Sequence, residues 1–499
     1  MKALTAKTPP ERPEVRPPVE RPGGDRPSER PRFIDRTLKN LRGAWNEIAE
    51  RTVGVFSGTQ PSPSLPNDDA ARLRDQMRDC LASRGGEVSA RARAASLGRA
   101  YLALNAEGRQ RFLRILATDF DADRAAIDRA IDGLKKADGN DAARRKAERR
   151  LRAALEPPRV KLLTQFNGLP EGVKFLVDLR AELLTFPKGD AAMAALDEDL
   201  KQLLAAWFDV GFLELRRITW DSPAALLEKL IAYEAVHEIH GWNDLKNRLD
   251  SDRRCFAFFH PRMPDEPLIF VEVALHNGLA ANIQRLLDPT APVQDSQSAD
   301  TAIFYSISNA QRGLVGISFG GFLIKRVVDV LALEFRNLKD FATLSPIPGF
   351  RHWLERELKS PTGELLLPAE RKALTQLPIG IGDDGAFATL LGLPAWADNV
   401  PVARALRGPV TRLAARYLTE EKRDGGRALD PVAHFHLSNG ARVEQLDWLA
   451  DRSEKGLAQS YGLMVNYRYR QADIEANHEA YTGEGQVAAA SAVRALLKG

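Results

Sequence analysis

FYSISNAQRGLVGISFGGFLIKRVVDVLALEF occupies residues 304–335 and joins strand-like, glycine-rich and helical sequence. Its first five residues are mostly β-branched or aromatic and predict a strand, and the short apolar run 314–317 predicts a second one. Residues 322–335 carry apolar side chains at helical spacing, with Lys325 and Arg326 on the polar side, and predict a helix. The order is therefore strand, glycine-rich turn and helix.

Two interpretations of the glycine-rich turn, residues 316–321, are open on spacing alone. Glycine lets backbone N–H groups approach a phosphate closely, and a following helix adds positive potential at its N-terminus. The spacing is thus typical of a phosphate-binding segment. The alternative is a turn between strand and helix in which glycine serves the backbone geometry only.

Several segments around this turn closely resemble malonyl-CoA decarboxylases. They are FYSIS at 304–308, FLIKRVV at 322–328, LSPIPGF at 344–350, FHLSNGA at 435–441 and GLMVNYRY at 462–469. The resemblance extends from about Phe212 to Arg470 and is looser over the N-terminal half. It implies conversion of malonyl-CoA to acetyl-CoA and carbon dioxide. It also implies an α+β fold, with a GNAT-type acyl-CoA-binding catalytic domain.

The resemblance assigns roles to individual residues. Decarboxylation of a malonyl thioester leaves an enolate, which needs hydrogen-bond donors at its oxygen and a proton at its carbon. His436 matches the catalytic histidine of the family, and Ser345 matches the serine that works with it. We expect Ser306 and Tyr469 to hydrogen-bond to the malonyl group or to this pair.

The family's CoA-pyrophosphate segment matches Val315, Gly316, Ile317, Ser318, Phe319, Gly320 and Gly321. Other members can carry an acidic residue at the position of Ser318, so a carboxylate role there does not transfer to this chain. No metal or organic cofactor is expected, because the thioester itself accepts the electrons.

Composition limits the class of partner. The 499 residues are 44% hydrophobic and 28% charged, and the net charge of +4 is too balanced to favour nucleic acid. No apolar run reaches the length of a membrane span. Two cysteines, Cys80 and Cys255, predict no disulfide framework. The N-terminus lacks a signal core and carries several acids, so we expect a cytoplasmic protein.

Three regions are predicted along the chain. Residues 1–32 are rich in proline and arginine and are expected to be disordered. Residues 33–210 show helical periodicity without strand patterns and predict an all-α helical bundle. Residues 211–499 are predicted to form the catalytic domain. The resemblance implies a homo-oligomer, a dimer or tetramer, formed through the helical region.

Further strands are predicted at 255–259, at 268–275, near Phe435 and at 463–469. In such a strand His434 and His436 would share one face, because side chains alternate with a period of two.

Alternatives from other classes remain. A CoA-dependent acyltransferase would use the same fold, and a regulatory acyl-CoA-binding protein would bind without turnover. Residues 316–320 also form a G-x-S-x-G sequence, followed by Asp383 or Asp384 and by His436 in the order of a serine hydrolase. His237 and His240 have the spacing of a metal-binding pair, but no third ligand is evident in the sequence.

Overall fold

The fold is that of a computed structural model. It describes Trp45, Ile48 and residues 61–82, 86–137, 140–187, 189–317, 322–359, 365–377 and 385–498. The predicted disordered tail, residues 1–32, lies outside the described residues.

The N-terminal region is helical, as predicted, and within the described residues no strand precedes Glu214. Its helices are α1 (Asn67–Leu81), α2 (Glu87–Ala103), α3 (Ala106–Asp119), α4 (Arg124–Lys135), α5 (Asp141–Leu155), α6 (Pro158–Phe166), α7 (Gly172–Leu183) and α8 (Ala191–Trp207). Local sequence explains several helix starts, because side-chain oxygens accept hydrogen bonds from first-turn N–H groups. Asn105, Asp123, Asn140 and Asp190 act in this way.

The second region is built on a mixed sheet. Its strands are β1 (Glu214–Ile218), β2 (Arg253–Phe259), β3 (Ile269–His276), β4 (Thr301–Asn309), β5 (Asp340–Thr343), β6 (Ser345–Pro346), β7 (Arg442–Asp447) and β8 (Met464–Tyr469). The strand order is β1-β2-β3-β4-β5-β8-β6, and β7 also pairs with β8. All of these pairs are antiparallel except β4 with β5.

The other elements of this region are helices, and the helix predicted at 322–335 is among them. They are α9 (Ala224–Tyr233), α10 (Trp242–Arg248), α11 (Ile283–Leu286), α12 (Phe322–Glu334), α13 (Phe350–Lys359), α14 (Pro368–Thr375), α15 (Ala386–Gly392), α16 (Val400–Thr419), α17 (Pro431–Ser438), α18 (Glu454–Ser460), α19 (Ile474–Glu484) and α20 (Ser491–Leu496). A helical region followed by a mixed α and β domain confirms the α+β class.

The prediction of a strand at 314–317 is wrong. Arg312–Leu314 forms a single 3₁₀ turn, and a β-turn follows in which the Ile317 N–H donates to the Leu314 carbonyl at 3.1 Å. Gly316 has φ +79°, a left-handed value that an extended strand does not contain. Apolar composition indicated burial here, but the glycines permit a compact turn.

The prediction of strand structure near Phe435 is also wrong. Asp430 accepts hydrogen bonds from the Val432 and Ala433 N–H groups, and Pro431 occupies the first helical turn. An N-cap aspartate followed by proline is a strong helix start. His434 and His436 therefore lie on helix α17 and not on one face of a strand.

A bulge interrupts β4 at its centre. Phe304 pairs with Val273, and Ser306 pairs with Glu272. Because Val273 and Glu272 are adjacent in β3, Tyr305 has no partner of its own there and is the extra residue of the bulge. Such a bulge reverses the alternation of side chains beyond it. Phe304 shares a face with Thr343 of β5, whereas Ser306 faces the other side of the sheet.

Strands β4 and β5 run together over only four residue pairs, and the Leu344 N–H still donates to the Phe304 carbonyl. Ser345 instead pairs with Val465 of β8. Within the described residues, no ladder joins the second half of β4 to β6, so the two segments separate at this point.

Across the described ranges, none of the helices is long and apolar enough to cross a lipid bilayer. Both cysteines are buried free thiols.

Candidate active site

Ser345 lies at the point where β4 and β5 separate. Its side chain is almost fully buried, and its Oγ donates to Thr343 Oγ1 at 2.8 Å. Thr343 Oγ1 also accepts from the Tyr467 N–H of β8 at 3.1 Å. Pro346 cannot donate a backbone hydrogen bond and fixes its own φ, which holds the backbone after Ser345.

His436 reaches Ser345 from helix α17. Its Nε2 lies 3.2 Å from Ser345 Oγ, and its Nδ1 lies 2.8 Å from the Tyr469 hydroxyl. The imidazole also stacks on the Tyr467 ring, with 4.5 Å between the ring centroids. The structure therefore brings together three of the predicted site residues, Ser345, His436 and Tyr469.

The hydrogen-bond directions follow from counting protons. The single Ser345 proton is used toward Thr343, so Ser345 Oγ accepts from His436 Nε2–H. Nδ1 is then the unprotonated nitrogen, and the Tyr469 hydroxyl donates to it. The result is a chain of donors that runs from Tyr469 through His436 and Ser345 to Thr343.

Burial controls the charge state of these hydrogen-bonded side chains. Loss of solvation lowers the pKa of His436 to about 3, so the imidazole is neutral near pH 7. Burial also raises the pKa of Tyr469 well above that of a free tyrosine, so its hydroxyl keeps its proton. A bound anion would reverse the effect on the histidine, because a nearby negative charge favours imidazolium.

Ser306 does not join this group of side chains. Its Oγ donates to the Glu234 carboxylate, 2.8 and 2.9 Å from the two oxygens, on the sheet face opposite Thr343. Ser308 donates to the same carboxylate at 3.1 Å. Among the described residues, Ser306 therefore makes no direct hydrogen bond to Ser345 or His436, and its contact with the malonyl group stays a prediction.

The predicted pyrophosphate segment is described only in part. Val315 and Gly316 are exposed, and Ile317 is buried. Ser318, Phe319, Gly320 and Gly321 lie outside the described residues, and helix α12 begins directly after them. The hydrolase alternative also involves Asp383 and Asp384, which lie outside the described residues too.

Two site residues were missed from the sequence. Thr343 precedes Ser345 by two positions, and alternation along a strand would have placed both hydroxyls on one face. Asp430 caps α17 with one carboxylate oxygen, and with the other it accepts from the Gly349 N–H at 3.3 Å and the Tyr417 hydroxyl at 3.4 Å. The Asp-Pro pair at 430–431 was the available signal.

The two histidines at metal-like spacing gain no further ligands. His237 is half-buried, and loss of solvation lowers its pKa to about 4. The backbone N–H of His240 donates to the Asp244 carboxylate. Among the described residues, no group of three or more metal-ligating side chains is arranged around an ion-sized space.

Comparison with known proteins gives consistent matches. The model of the malonyl-CoA decarboxylase C-terminal domain matches residues 211–499, and that of the N-terminal domain matches residues 120–208. The mitochondrial malonyl-CoA decarboxylase of Anser anser anser is 38% identical over 81% of this chain and 83% of its own length. That of Rattus norvegicus is 37% identical over 91% of each chain.

Solved structures agree with these matches. A crystal structure of malonyl-CoA decarboxylase from Rhodopseudomonas palustris aligns with a TM-score of 0.78 and 45% identity, over 85% of this chain and 99% of that one. The enzyme of the same name from Agrobacterium vitis gives 0.76 and 44%, over 85% and 99%.

Proposed function

The chain belongs to the malonyl-CoA decarboxylase family and catalyses decarboxylation of malonyl-CoA, and we propose that Ser345 and His436 supply the proton that completes the reaction. The observation that carries this proposal is their contact, 3.2 Å between Ser345 Oγ and His436 Nε2. Tyr469 fixes the imidazole from its other nitrogen.

The chemistry consumes one proton in each turnover. Cleavage of the bond between the carboxylate and the methylene carbon releases carbon dioxide and leaves its electron pair on the thioester as an enolate. The enolate carbon then takes a proton and becomes the acetyl methyl group. A neutral, buried His436 is suited to this cycle, because the arriving malonyl carboxylate raises its pKa and draws a proton into the site. Protonation of the carbon returns the imidazole to its neutral state.

Ser345 acts between the histidine and the substrate in this scheme. Its oxygen accepts from His436 Nε2–H, and its own proton is available for transfer once it turns from Thr343 to the substrate. A positioned acid of this kind contributes about 10²–10⁴ in rate. Backbone N–H groups stabilise the enolate oxygen, at roughly 10²–10³ for each donor.

The finer fold assignment and the CoA site belong to the same proposal. Separation of parallel strands β4 and β5, together with the β4 bulge, supports a GNAT-type acyl-CoA cleft that opens beside Ser345. The amides of residues 315–321 hold the pyrophosphate ahead of helix α12. Ser306 stays a candidate contact of the malonyl group, and its hydroxyl is bonded to Glu234 and not to the catalytic pair.

Three other features complete the proposal. Residues 33–210 form the helical domain and residues 211–499 the catalytic domain. The helical domain mediates formation of a dimer or tetramer, which light scattering on the full chain would detect. The protein is cytoplasmic, whereas the relatives from Anser anser anser and Rattus norvegicus are named mitochondrial.

The deciding assay uses purified protein stripped of metal, with malonyl-CoA as the only substrate and acetyl-CoA followed by mass spectrometry. We expect acetyl-CoA without an acceptor. Free CoA with malonate would support the hydrolase alternative. Unchanged but bound malonyl-CoA would support an acyltransferase or a binding protein.

Two variants test the assigned roles. His436→Asn should abolish turnover and leave CoA binding nearly intact, and Ser345→Ala should lower kcat by at least about 100-fold. His434→Asn is the matched control, because His434 lies on the same helix and bonds to Tyr481 instead. Normal turnover in His436→Asn would contradict the assignment.

A further inference from the structure

Arg180 links the helical region to the segment that precedes the predicted pyrophosphate site. It lies on α7 and is buried, with its Nε donating to Asp197 at 2.8 Å. Its Nη1 donates to the Gly313 carbonyl at 2.6 Å and to the Val315 carbonyl at 2.9 Å. A side chain from one region thus binds two backbone oxygens of the other.

The two carbonyls belong to a defined pair of turns. Val315 has φ −57° and ψ 131°, Gly316 has φ +79°, and the Ile317 N–H donates to the Leu314 carbonyl. These values describe a type II turn with Val315 and Gly316 at its centre. In the related type I turn, the central peptide plane is rotated by roughly 180°.

Arg180 selects between the two orientations of that peptide. In a planar trans peptide, the carbonyl of Val315 and the N–H of Gly316 point in opposite directions. Since Arg180 binds this carbonyl, the Gly316 N–H points away from Arg180. A flip to type I would break the bond to Arg180 and turn the N–H around.

The Gly316 N–H is available to a ligand. The N–H groups of Leu314, Val315 and Ile317 donate to carbonyls within the turns, whereas within the described residues that of Gly316 makes no hydrogen bond. Gly316 is exposed, and Lys201 of α8 lies beside it, with its Cε 3.8 Å from the position of a Cβ there. The backbone N–H of an exposed residue beside a lysine side chain suits an anion, and the Lys201 ammonium itself lies 3.6 Å from the Glu198 carboxylate.

We propose that Arg180 is a positioning residue for the CoA diphosphate, because it holds the 315–316 peptide so that the Gly316 N–H faces the ligand. This inference rests on the proposed function, in which residues 315–321 bind the pyrophosphate. It makes CoA affinity depend on a side chain of the helical region that does not itself touch the ligand.

The test compares two substrates that share the reacting thioester. Malonyl-CoA carries the diphosphate, whereas malonyl-pantetheine lacks it. Arg180→Lys keeps the positive charge beside Asp197 but removes the planar guanidinium group and its several N–H donors. We expect kcat/KM for malonyl-CoA to fall by about 10- to 100-fold through KM, and that for malonyl-pantetheine to stay within about twofold.

Arg159→Lys is the matched control. Arg159 is equally buried in the helical region, and it donates to Asp199 at 2.6 Å and to the Ala117 carbonyl at 2.9 Å, with no bond to the turn. Arg159→Lys should leave the ratio of kcat/KM for malonyl-CoA to kcat/KM for malonyl-pantetheine unchanged. Asp197→Asn is the milder second variant, because it loosens Arg180 without removing it, and should shift the ratio in the same direction by less.

Calorimetric titration with CoA and with pantetheine gives a second readout that needs no turnover. Weaker binding of CoA alone in Arg180→Lys would support the proposal. Equal losses of affinity for CoA and for pantetheine, or an unchanged affinity for CoA, would overturn the proposal. Absence of acetyl product from wild-type protein with either substrate would instead overturn the proposed function, and the titration would still decide the role of Arg180.

Discussion

His436 is a neutral histidine in the site proposed to bind the malonyl carboxylate. No opposing charge acts on its pKa, which burial alone lowers to about 3. The malonyl carboxylate would supply the missing charge, so substrate binding and proton uptake are coupled in the proposed mechanism. This coupling explains why a proton donor can be uncharged in the free protein.

The same burial makes the free energy of unfolding depend on pH. Unfolded histidine has a pKa of about 6.5, so between pH 6.5 and 3 the unfolded chain binds a proton that folded His436 does not. Stability is therefore lost as pH falls through this window, by up to about 1.4 kcal/mol per pH unit. Urea unfolding at pH 5.0 and 7.5 should show a smaller difference for His436→Asn than for wild type. Equal differences would contradict a neutral buried His436.

Tyr469 sets the orientation and tautomer of the imidazole through its hydroxyl. Tyr469→Phe removes that donor and leaves Nδ1 unpaired in a buried site, so we expect kcat to fall by about 10-fold or more with KM little changed. Steady-state kinetics at neutral pH would measure both values.

Tyr467→Phe is the control for this variant. The Tyr467 ring stacks on His436, but its buried hydroxyl has no partner among the described residues. It should therefore keep kcat near the wild-type value. An equal loss in both variants would show that packing, and not the Tyr469 hydroxyl, supports the histidine.

Among the elements, helix α17 is joined to the segment that follows Ser345 by one carboxylate. Asp430 caps the helix that carries His436 and also binds the Gly349 N–H, four residues after Ser345. Burial raises its pKa, against the effect of the backbone N–H groups that it accepts from. Asp430 therefore fixes the relative position of Ser345 and His436, the proposed catalytic side chains, without touching either.

Asp430→Ala should destabilise the protein by about 2–4 kcal/mol, since it removes a helix cap and two further hydrogen bonds. We also expect a loss of kcat, measured beside denaturant unfolding. Asn105→Ala is the control, because Asn105 caps α3 with a single bond to the Gly108 N–H and lies in the helical region. It should cost about 1 kcal/mol and leave kcat unchanged. Wild-type kcat in Asp430→Ala would contradict the positioning role.

Across the whole molecule, the helical region packs directly against the turn that precedes the proposed CoA segment. A Cβ on Gly313 would lie 1.8 Å from the Val177 carbonyl of α7, so only glycine fits this approach. Together with the hydrogen bonds of Arg180, this contact means that the helical region supports the backbone of this turn.

Gly313→Ala should therefore lower the free energy of unfolding by about 3 kcal/mol, because the backbone of α7 or of the turn must shift. Denaturant unfolding of the full chain would measure this loss. Gly133→Ala in α4 is the control, since a Cβ there meets nothing within 4 Å. It should stabilise the helix by about 0.5–1 kcal/mol. No loss in Gly313→Ala would show that the two regions are loosely joined.

Sequence patterns alone predict the helical N-terminal half, four of the eight strands and the family. Helical periodicity and capping residues are local signals, and long motifs such as LSPIPGF and FHLSNGA are specific enough to identify a relative. Ser345, His436 and Tyr469 were proposed from these motifs, although their contacts could not be derived from spacing across more than ninety positions.

The assembly of the site follows from contacts between segments that are distant in the sequence. His436 lies on a helix and not on the predicted strand, and residues 314–317 form turns and not the predicted strand. The bulge in β4 also turns Ser306 to the opposite sheet face. A bulge depends on pairing with a neighbouring strand, and the hydrogen bonds of Arg180 and Asp430 join distant segments. The sequence pattern within one segment does not identify a partner in a distant segment, because tertiary packing determines which segments meet.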